Sequence, residues 1–514
     1  MPIKTSLTIL GLIGLLLLPR VAPELKNFAS FDPQLIANVI DLPLPKLKTE
    51  ALPDVEDLRA GRLEVRAPSN LIDPTHSLDH FYAALLKGGT TRILHYGDSP
   101  TTGDLITADA RAMLQKQFGD GGVGFILIAR PWAWYNHRGV EMDASNWKID
   151  VALVAQLKDG MHGLGGVSFI GSTGASARWR MKTRQDSIEV AYLSQPDGGA
   201  FAVDANDKEL GDKELGMKEL GVVETAPQAI KDTAPGPTPE PAAPTAPPAK
   251  TPGYAAFEVP AGATKFAVRV TQGTVRLYGV EFRGHSNGVI YSSLGINGAN
   301  VTVLSHLING PHWTAVLRHY KPSLVIVNYG TNESGYAKFV DNSWAPEMRE
   351  VVRRLHAALP DASVLLMSPM DRGEKNAAGE IATMQALPRL VSIERKVAAE
   401  TGTAFFNTFA AMGGAGTMAR WYVAEPRLVS ADFIHPTSYG AKIVGELLYK
   451  SLSDGYSEYK LRQLNHQATE SSSAGKAEPP AQPDSVSSTP GSKSAPSKSG
   501  SKPESKSAPK HVEP

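Results

Sequence analysis

The sequence predicts an α/β protein whose parallel sheet is interrupted by an inserted all-β domain. Apolar runs typical of buried strands alternate with segments of helical periodicity at about 76–140 and again at about 285–465. Between them, residues 141–284 contain short β-prone runs separated by Gly, Asn or Asp, with no helical stretch. Alternating strands and helices favour a parallel sheet covered on both faces, whereas closely spaced short strands favour a β-sandwich or jelly-roll.

The N-terminus predicts export. Lys4 precedes an apolar run from Leu7 to Leu18, which is shorter than the roughly 20 residues that a spanning helix needs. The following residues, Arg20-Val21-Ala22-Pro23, form a poor cleavage site. A cleaved leader at 1–22 and an uncleaved inner-membrane anchor at 5–18 therefore both stay open. Either one places the protein in the periplasm or outside the cell.

The first α/β segment is predicted to lead directly into a glycine-containing turn. Residues 23–75 are rich in Pro and Leu without sustained periodicity, which predicts an extended connector. A helix is expected at 78–86, followed by a strand at 92–96 and the turn Gly97-Asp98-Ser99. A second helix is expected near 103–118, with Gly119 as its C-cap.

The inserted segment contains an unusual repeat. Its predicted strands are Val151–Leu153, Val167–Phe169, Ile188–Tyr192, Phe201–Val203, Ala255–Val259, Lys265–Val270 and Thr274–Phe282. Three tandem pentapeptides ending in Lys-Glu-Leu-Gly occupy 207–221 and run into a Pro/Ala-rich stretch. A five-residue unit is far too short for a solenoid repeat. We interpret 206–252 as a low-complexity surface loop between two strands.

The second α/β segment is predicted to continue the same alternation and to end in a polar tail. The expected strands are 289–291, 323–328, 363–368 and 405–406, and the expected helices lie near 300–309, 345–358, 383–400 and 437–452. Residues 466–514 are mainly Ser, Pro, Lys and Ala. Such a segment buries too little apolar surface to offset the entropy of ordering, so we expect a disordered tail.

The composition excludes several classes of function. Lys+Arg and Asp+Glu number 52 each, so the formal net charge is zero and nucleic acid is not expected as a partner. The absence of cysteine excludes disulfides, thiolate metal sites and a cysteine nucleophile. His162, His306 and His312 show no metal-ligand spacing, so we predict no metal and no organic cofactor. The composition leaves the oligomeric state open.

Two motifs far apart in the chain supply the parts of a serine acyl-transfer site. Ser99 lies on the turn after the first strand, where its hydroxyl can face outward. A serine hydroxyl is a weak nucleophile until a base takes its proton. Asp432 lies three residues before His435, so one tight turn can bring its carboxylate to Nδ1 and leave Nε2 facing the serine. We predict Ser99 as nucleophile, His435 as base and Asp432 as the orienting carboxylate.

Further residues are predicted around this site. Asn332 follows an apolar strand, and its side-chain amide can donate to an oxyanion, a contribution on the order of 3 kcal/mol. The backbone N–H groups of Gly295 and Ser99 are expected to share that role. Trp134, Tyr135 and Asp371 are candidate substrate-binding residues, although core packing explains the aromatic pair equally well.

The motifs together resemble a known family. Gly97-Asp98-Ser99, Gly295, Gly330-x-Asn332 and Asp432-x-x-His435 resemble the ordered blocks of the SGNH (GDSL-type) hydrolases. The resemblance covers roughly 90–130 and 286–453, and it implies a flavodoxin-like three-layer α/β/α core. The long interruption after the first block is similar to the peptidoglycan O-acetylesterases of that family, which carry an inserted β-sandwich resembling a carbohydrate-binding module. Pro100 departs from the pattern because it removes an N–H beside the nucleophile.

The resemblance implies an exported serine esterase that removes O-acetyl groups from a glycan such as peptidoglycan or exopolysaccharide. Two alternatives stay open at this point. The first is an O-acetyltransferase that passes the acetyl group from the same triad to a sugar hydroxyl. The second is a non-catalytic polysaccharide-binding or assembly protein that keeps the fold. That the insert holds the polymer is implied by the resemblance alone.

Overall fold

The computed structural model describes residues 70–207, 216–227, 250–284 and 287–474. The predicted leader or anchor at 1–22, the connector before residue 70 and the tail after 474 lie outside these residues. Within the described part of the chain, no helix combines the length and the apolar character needed to cross a membrane.

The first folded segment supplies two strands and three helices. They are β1 (Leu71–Ile72), α1 (Asp79–Lys87), β2 (Thr91–Gly97), α2 (Ser99–Thr102) and α3 (Ile106–Phe118). The predicted helix at 103–118 begins at Ile106, because Asp104 adopts a left-handed φ of 50°. Gly119 closes α3 as expected, with its N–H donating to Gln115 O at 2.9 Å. The connector prediction is wrong at Leu71–Ile72, since this pair forms an edge strand beside Phe405–Phe406.

An antiparallel sheet of nine strands follows, which confirms the predicted all-β insert but begins at Gly124 rather than at residue 141. Its strands are β3 (Gly124–Ile126), β4 (Val140–Val151), β5 (Val167–Met181), β6 (Ser187–Ser194), β7 (Ala200–Asn206), β8 (Met217–Glu224), β9 (Thr251–Glu258), β10 (Lys265–Gln272) and β11 (Thr274–Arg283). A 3₁₀ turn at Ala152–Val154 follows β4. At three residues, β3 is too short for sequence alternation to reveal it.

The interpretation of 206–252 as one loop is wrong in two places. The third pentapeptide copy opens β8, which pairs with β7 from Met217 opposite Asn206 to Glu224 opposite Ala200. Thr251 and Pro252 belong to β9. Pairing with an existing strand satisfies the backbone groups of the repeat copy, which its Lys-Glu-Leu-Gly composition alone does not indicate.

The second α/β segment completes the chain. Its strands are β12 (Val289–Gly295), β13 (Leu324–Asn328), β14 (Ser363–Met367), β15 (Gly373–Lys375), β16 (Ile381–Thr383) and β17 (Ala404–Phe406). Its helices are α4 (Gly310–Tyr320), α5 (Ala337–Asn342), α6 (Trp344–Ala358), α7 (Leu387–Thr401), α8 (Thr408–Ala411), α9 (Thr417–Val423) and α10 (Ser438–Ala474). One turn of π-helix lies at Val303–Leu307 and one of 3₁₀-helix at Glu333–Gly335.

Two helix predictions in this segment need correction. The helix expected near 300–309 is only the single π-turn, and α4 begins at Gly310 instead. The Asn309 side chain accepts the N–H of His312 at 3.0 Å, and Pro311 follows in the first turn, both of which are helix-start signals. The predicted tail begins inside α10, which continues to Ala474 because extending a helix needs no new nucleus.

The central sheet has the strand order β1-β17-β14-β13-β2-β12. All neighbouring strands are parallel except the edge strand β1, which runs antiparallel to β17. This order confirms the flavodoxin-like fold, in which the chain reverses direction across the sheet beside its first central strand. Here that point lies at β2, between β12 and β13, and ligands of such folds bind there at the carboxyl ends of the strands.

The insert starts and ends at one place on the core. The N–H of Gly121 donates to Val289 O at 3.1 Å, and that of Gly284 donates to Gly121 O at 2.9 Å. The N–H of Val289 donates to Gly119 O at 2.9 Å. The segments that leave and re-enter the α/β core are therefore hydrogen-bonded to each other.

Polar contacts also join the insert to the core. Arg92 of β2 forms an ion pair with Glu281 of β11 at 3.1 Å. His319 of α4 lies 2.8 Å from Glu189 of β6, and its ring stacks on Tyr254 of β9 with centroids 3.4 Å apart. The core and the insert belong to one compact unit.

Helix α7 buries a carboxyl group in the core. Glu394 is 0% exposed, and neither of its oxygens has a hydrogen-bond partner in the described part of the chain. Burial raises the pKa of Glu394 well above its usual value, and the neighbouring Glu333 raises it further. The folded state therefore retains a proton that the unfolded chain releases above its ordinary carboxyl pKa, so this group lowers stability as the pH rises.

This group predicts a pH-dependent change in stability for Glu394→Gln. The glutamine is neutral at every pH, so its free energy of unfolding relative to the wild type should rise between about pH 5 and about pH 8, by up to ~1.4 kcal/mol per pH unit, and its relative Tm should rise with it. Calorimetric melts across this range measure the difference. The exposed Glu374→Gln serves as the control. A Tm difference that is the same at every pH would contradict the prediction.

Candidate active site

The candidate site lies where three parallel strands end together. Gly97 at the end of β2 is in register with Gly295 of β12 and with Asn328 of β13. The segments that follow these strands carry the predicted residues Ser99 and Asn332. The strand order of the sheet therefore brings distant parts of the chain to one edge.

Ser99 is the first residue of α2, and it is 9% exposed. Its Oγ lies 2.9 Å from Nε2 of His435, although the two residues are 336 positions apart. The turn before it requires glycine, since a Cβ at Gly97 would lie 2.3 Å from Thr101 Oγ1. The tight turn thus places the hydroxyl directly above the end of β2.

Asp432 orients the imidazole of His435. Its Oδ2 lies 2.6 Å from His435 Nδ1, and its Oδ1 accepts the N–H groups of Ile434 and His435 at 3.0 Å each. Phe433, between them, has a φ of 61°, which closes the tight turn. Partial burial opposes ionisation, but the hydrogen bonds from His435 and Ile434 prevail and hold the pKa of Asp432 below its usual value.

The structure therefore brings the three predicted residues into one hydrogen-bonded line. Ser99 Oγ can donate its proton to Nε2 of His435, while Nδ1–H donates to Asp432. Such a line can activate the hydroxyl as a nucleophile and return the proton to a leaving group.

Asn332 lies in the loop after β13, and its side chain contacts the loop after β12. Its Nδ2 donates to Ala299 O at 2.7 Å. An amide nitrogen carries two hydrogens, so a second one is left for another acceptor. Gly330, with a φ of 117°, turns the chain in front of Asn332, and a Cβ there would lie 3.0 Å from Pro369.

Gly295 has a packing role in the structure. A Cβ on this residue would lie 2.1 Å from the backbone N of Thr102, so only glycine lets α2 sit against β12. Gly298, three residues further on, is more open: its φ is 70°, and the one atom within 4 Å of an added Cβ is Leu153 Cδ2 at 4.0 Å. This second glycine adjoins the Ala299 carbonyl that Asn332 contacts, and it was not among the residues predicted from the sequence.

The three candidate substrate-binding residues differ in exposure. Trp134 is 53% exposed, in a loop whose Asn136 N–H donates to Thr102 O at 3.4 Å. Tyr135 is 4% exposed, and its hydroxyl accepts the N–H of Leu127 at 3.0 Å. The prediction that Tyr135 contacts substrate is therefore wrong, because its ring and hydroxyl are used inside the core.

Asp371 is also internal. It is 1% exposed, and its Oδ1 accepts from Arg372 N at 2.9 Å and from Thr383 Oγ1 at 2.8 Å. Its Oδ2 accepts the N–H of Met418 at 2.9 Å, near the start of α9. The prediction that Asp371 contacts substrate is wrong, since both oxygens are engaged in holding the loop after β14.

Two buried carboxyl groups beside the site were not singled out from the sequence. Burial raises the pKa of Asp98 to about 6, although Thr331 and His435 act in the opposite direction. Burial likewise raises the pKa of Glu333 to about 8, against the hydrogen bonds that it accepts from Val301 and Gly330. The available signal was their position, since each acidic residue directly adjoins a residue of the predicted site.

A comparison with protein families supports the sequence-based resemblance. The model of the GDSL-like lipase/acylhydrolase family matches residues 261–443. This range contains Asn332, Asp432 and His435 but not Ser99, which precedes the insert. The match confirms the resemblance to SGNH hydrolases. Curated protein sequences yield no match to the chain.

A solved structure of a peptidoglycan O-acetylesterase resembles this chain over core and insert. The match has a TM-score of 0.58 and 21% identity, and it covers 77% of this chain and 100% of that one. Two other solved structures are much less similar. A protein from Bacillus subtilis has 12% identity and a TM-score of 0.28, and the match covers 60% of this chain and 89% of that one. A putative GDSL-like lipase from Parabacteroides merdae has 16% identity and a TM-score of 0.25, and the match covers 32% of this chain and 72% of that one. The first match shows a shared fold, and the other two carry no argument.

The geometry predicts that Asp432→Asn slows the reaction of Ser99 with a fluorophosphonate. The amide cannot replace the carboxylate that holds His435, so the labelling rate should fall about 10²–10⁴-fold. The rate of covalent labelling measures activation of the serine without assuming a substrate. Asp143→Asn, at a side chain that is 81% exposed, is the matched control. A rate within about threefold of the wild type would contradict the proposed orienting role.

Proposed function

We propose that this SGNH-type acyl hydrolase is an exported serine esterase that removes O-acetyl groups from a carbohydrate polymer such as peptidoglycan or exopolysaccharide. The observation that supports this best is the hydrogen-bonded line from Asp432 through His435 to Ser99, with distances of 2.6 and 2.9 Å. It lies at the carboxyl edge of the sheet, where folds of this type bind ligands.

In the proposed reaction, Ser99 Oγ attacks the acetyl carbonyl carbon while His435 Nε2 takes its proton. The tetrahedral intermediate then expels the sugar alkoxide, which receives that proton from His435 and leaves as an alcohol. A water molecule then attacks the acetyl-serine carbonyl while His435 Nε2 takes its proton. The bond from the acetyl carbon to Ser99 Oγ breaks, acetate leaves, and His435 returns the proton to Oγ. Asp432 stays ionised throughout and stabilises the imidazolium.

The oxyanion is proposed to lie among three donors, the N–H groups of Ser99 and Gly295 and the free hydrogen of the Asn332 amide. The packing of Gly295 against α2 makes Gly298 a further candidate, because it lies in the same loop as the carbonyl that Asn332 contacts. Pro100 has no N–H, so the second residue of α2 cannot contribute.

The exposure of the site supports a polymeric substrate. The side chains of His435 and Asp432 are 39% and 46% exposed, so the site opens at the surface. An open site can accept an ester on a bulky chain, and it admits the water that completes hydrolysis. Trp134 is proposed to stack on a sugar ring beside this opening. The glycan named for the similar solved structure is consistent with this proposal.

The central test is Ser99→Ala in the full-length protein. Loss of the nucleophile should reduce acetate release from an activated acetyl ester and from acetylated glycan by at least about 10³-fold. Ser145→Ala, at an exposed position in the insert, should retain wild-type activity. If Ser99→Ala kept most of its activity, the proposed mechanism would be excluded. Acetylation of an added glycan acceptor in excess of hydrolysis would favour the O-acetyltransferase alternative.

The proposed role of Trp134 predicts a difference between substrates. Trp134→Ala should raise KM for acetylated polymer about tenfold, the equivalent of ~1.4 kcal/mol, because the stacking surface is lost. Turnover of a small activated ester, which does not reach the ring, should change less than about twofold. Trp134→Phe should retain most of the polymer affinity. Equal losses on both substrates would contradict a glycan-stacking role.

A further inference from the structure

We propose that Glu333 is a positioning residue that fixes the two loops of the oxyanion site against each other. These loops are 296–301, which follows β12, and 329–332, which follows β13, and we call them the oxyanion loops. The inference rests on the proposed function, because it concerns the geometry of the same site.

Each oxygen of the Glu333 carboxyl accepts a backbone N–H from a different oxyanion loop. Oε1 accepts from Val301 N at 2.8 Å, and Oε2 accepts from Gly330 N at 3.1 Å. The Asn332 side chain forms a second connection across the same gap, since its Nδ2 donates to Ala299 O at 2.7 Å. Asn332 is thus held by one contact of its own and by the carboxyl group that follows it in the chain.

Burial of Glu333 argues against a direct role in the chemistry. The residue is 3% exposed and begins the 3₁₀ turn at 333–335, so it does not reach solvent or an incoming ester. A buried carboxyl group is unfavourable unless hydrogen bonds compensate for lost hydration. Both of its oxygens are engaged here, one by the loop that carries Asn332 and the other by the loop that follows Gly295 and contains Gly298. The buried position of the Glu333 carboxyl is therefore explained by its hydrogen bonds to the two oxyanion loops.

The arrangement of the oxyanion donors depends on this bridge. Donors stabilise a developing charge only when they already point to the place where it forms. A carboxylate offers two acceptor oxygens, whereas a glutamine side chain offers one oxygen and an NH₂ group. In Glu333→Gln the NH₂ group would face a backbone N–H, so one of the two loops would be released.

The ionisable groups that face Glu333 are the buried carboxyls of Asp98 and Glu394 and the phenol of Tyr329. Burial, together with the nearby Asp98 carboxyl, raises the pKa of Glu333 to about 8, against the lowering effect of the N–H groups of Val301 and Gly330. The ionised form accepts both N–H groups more strongly than the protonated form does. We therefore expect kcat to rise with pH through this pKa in the wild type.

The test compares Glu333→Gln with Glu394→Gln on an activated acetyl ester. Above about pH 8, where the wild-type carboxyl is ionised, Glu333→Gln should lower kcat about 10–100-fold with KM within about twofold, because the loss concerns the transition state. The rise of kcat near about pH 8 should disappear with it. Glu394→Gln makes the same exchange at a buried carboxyl that accepts no hydrogen bond from either oxyanion loop, and it should retain kcat within about twofold.

The outcomes separate this inference from the proposed function. If Ser99→Ala is inactive but a folded Glu333→Gln keeps the wild-type kcat, the positioning role is overturned and the esterase proposal stands. If Ser99→Ala is active, the proposed function fails regardless of Glu333. Should Glu333→Gln not fold, Glu333→Asp gives the same test, since its shorter carboxylate keeps the charge but does not span both N–H groups. A wild-type kcat in Glu333→Asp would also overturn the inference.

Discussion

The hydrogen bond between Ser99 and His435 is the constraint on which the rest of this structure depends. It joins residues that are 336 positions apart, and it is 2.9 Å long. Side chains on separate segments keep such a distance only if a rigid frame sets their positions. The parallel sheet is that frame, because β2 lies between β12 and β13 and all three strands end at the same level.

Buried carboxyl groups next to the site add to the support that the sheet provides. Asp98, Glu333 and Asp371 are all buried, and none of them replaces a member of the catalytic line. Glu333 joins the two oxyanion loops, and Asp371 joins the loop after β14 to α9. The exposed line of Asp432 and His435 thus rests on loops that internal carboxyl groups hold together. The proposed reactive groups at the surface are thus positioned by buried polar contacts, which are costly for the fold to form.

The sequence predicted the arrangement of Ser99, Asp432 and His435 better than it predicted which neighbouring side chains are exposed. Ser99, Asp432 and His435 could be found because each belongs to a motif with a distinct turn, and the turns formed as expected. Trp134 and Tyr135 are adjacent, yet one is 53% and the other 4% exposed. The sequence could not tell which ring faces outward, because tertiary packing decides this in an irregular loop. The third pentapeptide copy was predicted as loop, but it forms a strand because it pairs with β7, and this pairing is not visible in its own composition.

The way the insert leaves and rejoins the core affects how this protein tolerates change in evolution. Backbone hydrogen bonds among Gly119, Gly121, Gly284 and Val289 close the base of the insert. Because these hydrogen bonds fix both ends of the insert, we expect a change in the length of the insert to leave β2 and β12 in the same relative position. The first two pentapeptide copies precede β8 in the chain and the third opens it, so the repeat belongs to the insert. We therefore expect that pentapeptide copies can be added or removed without displacing Ser99 from His435.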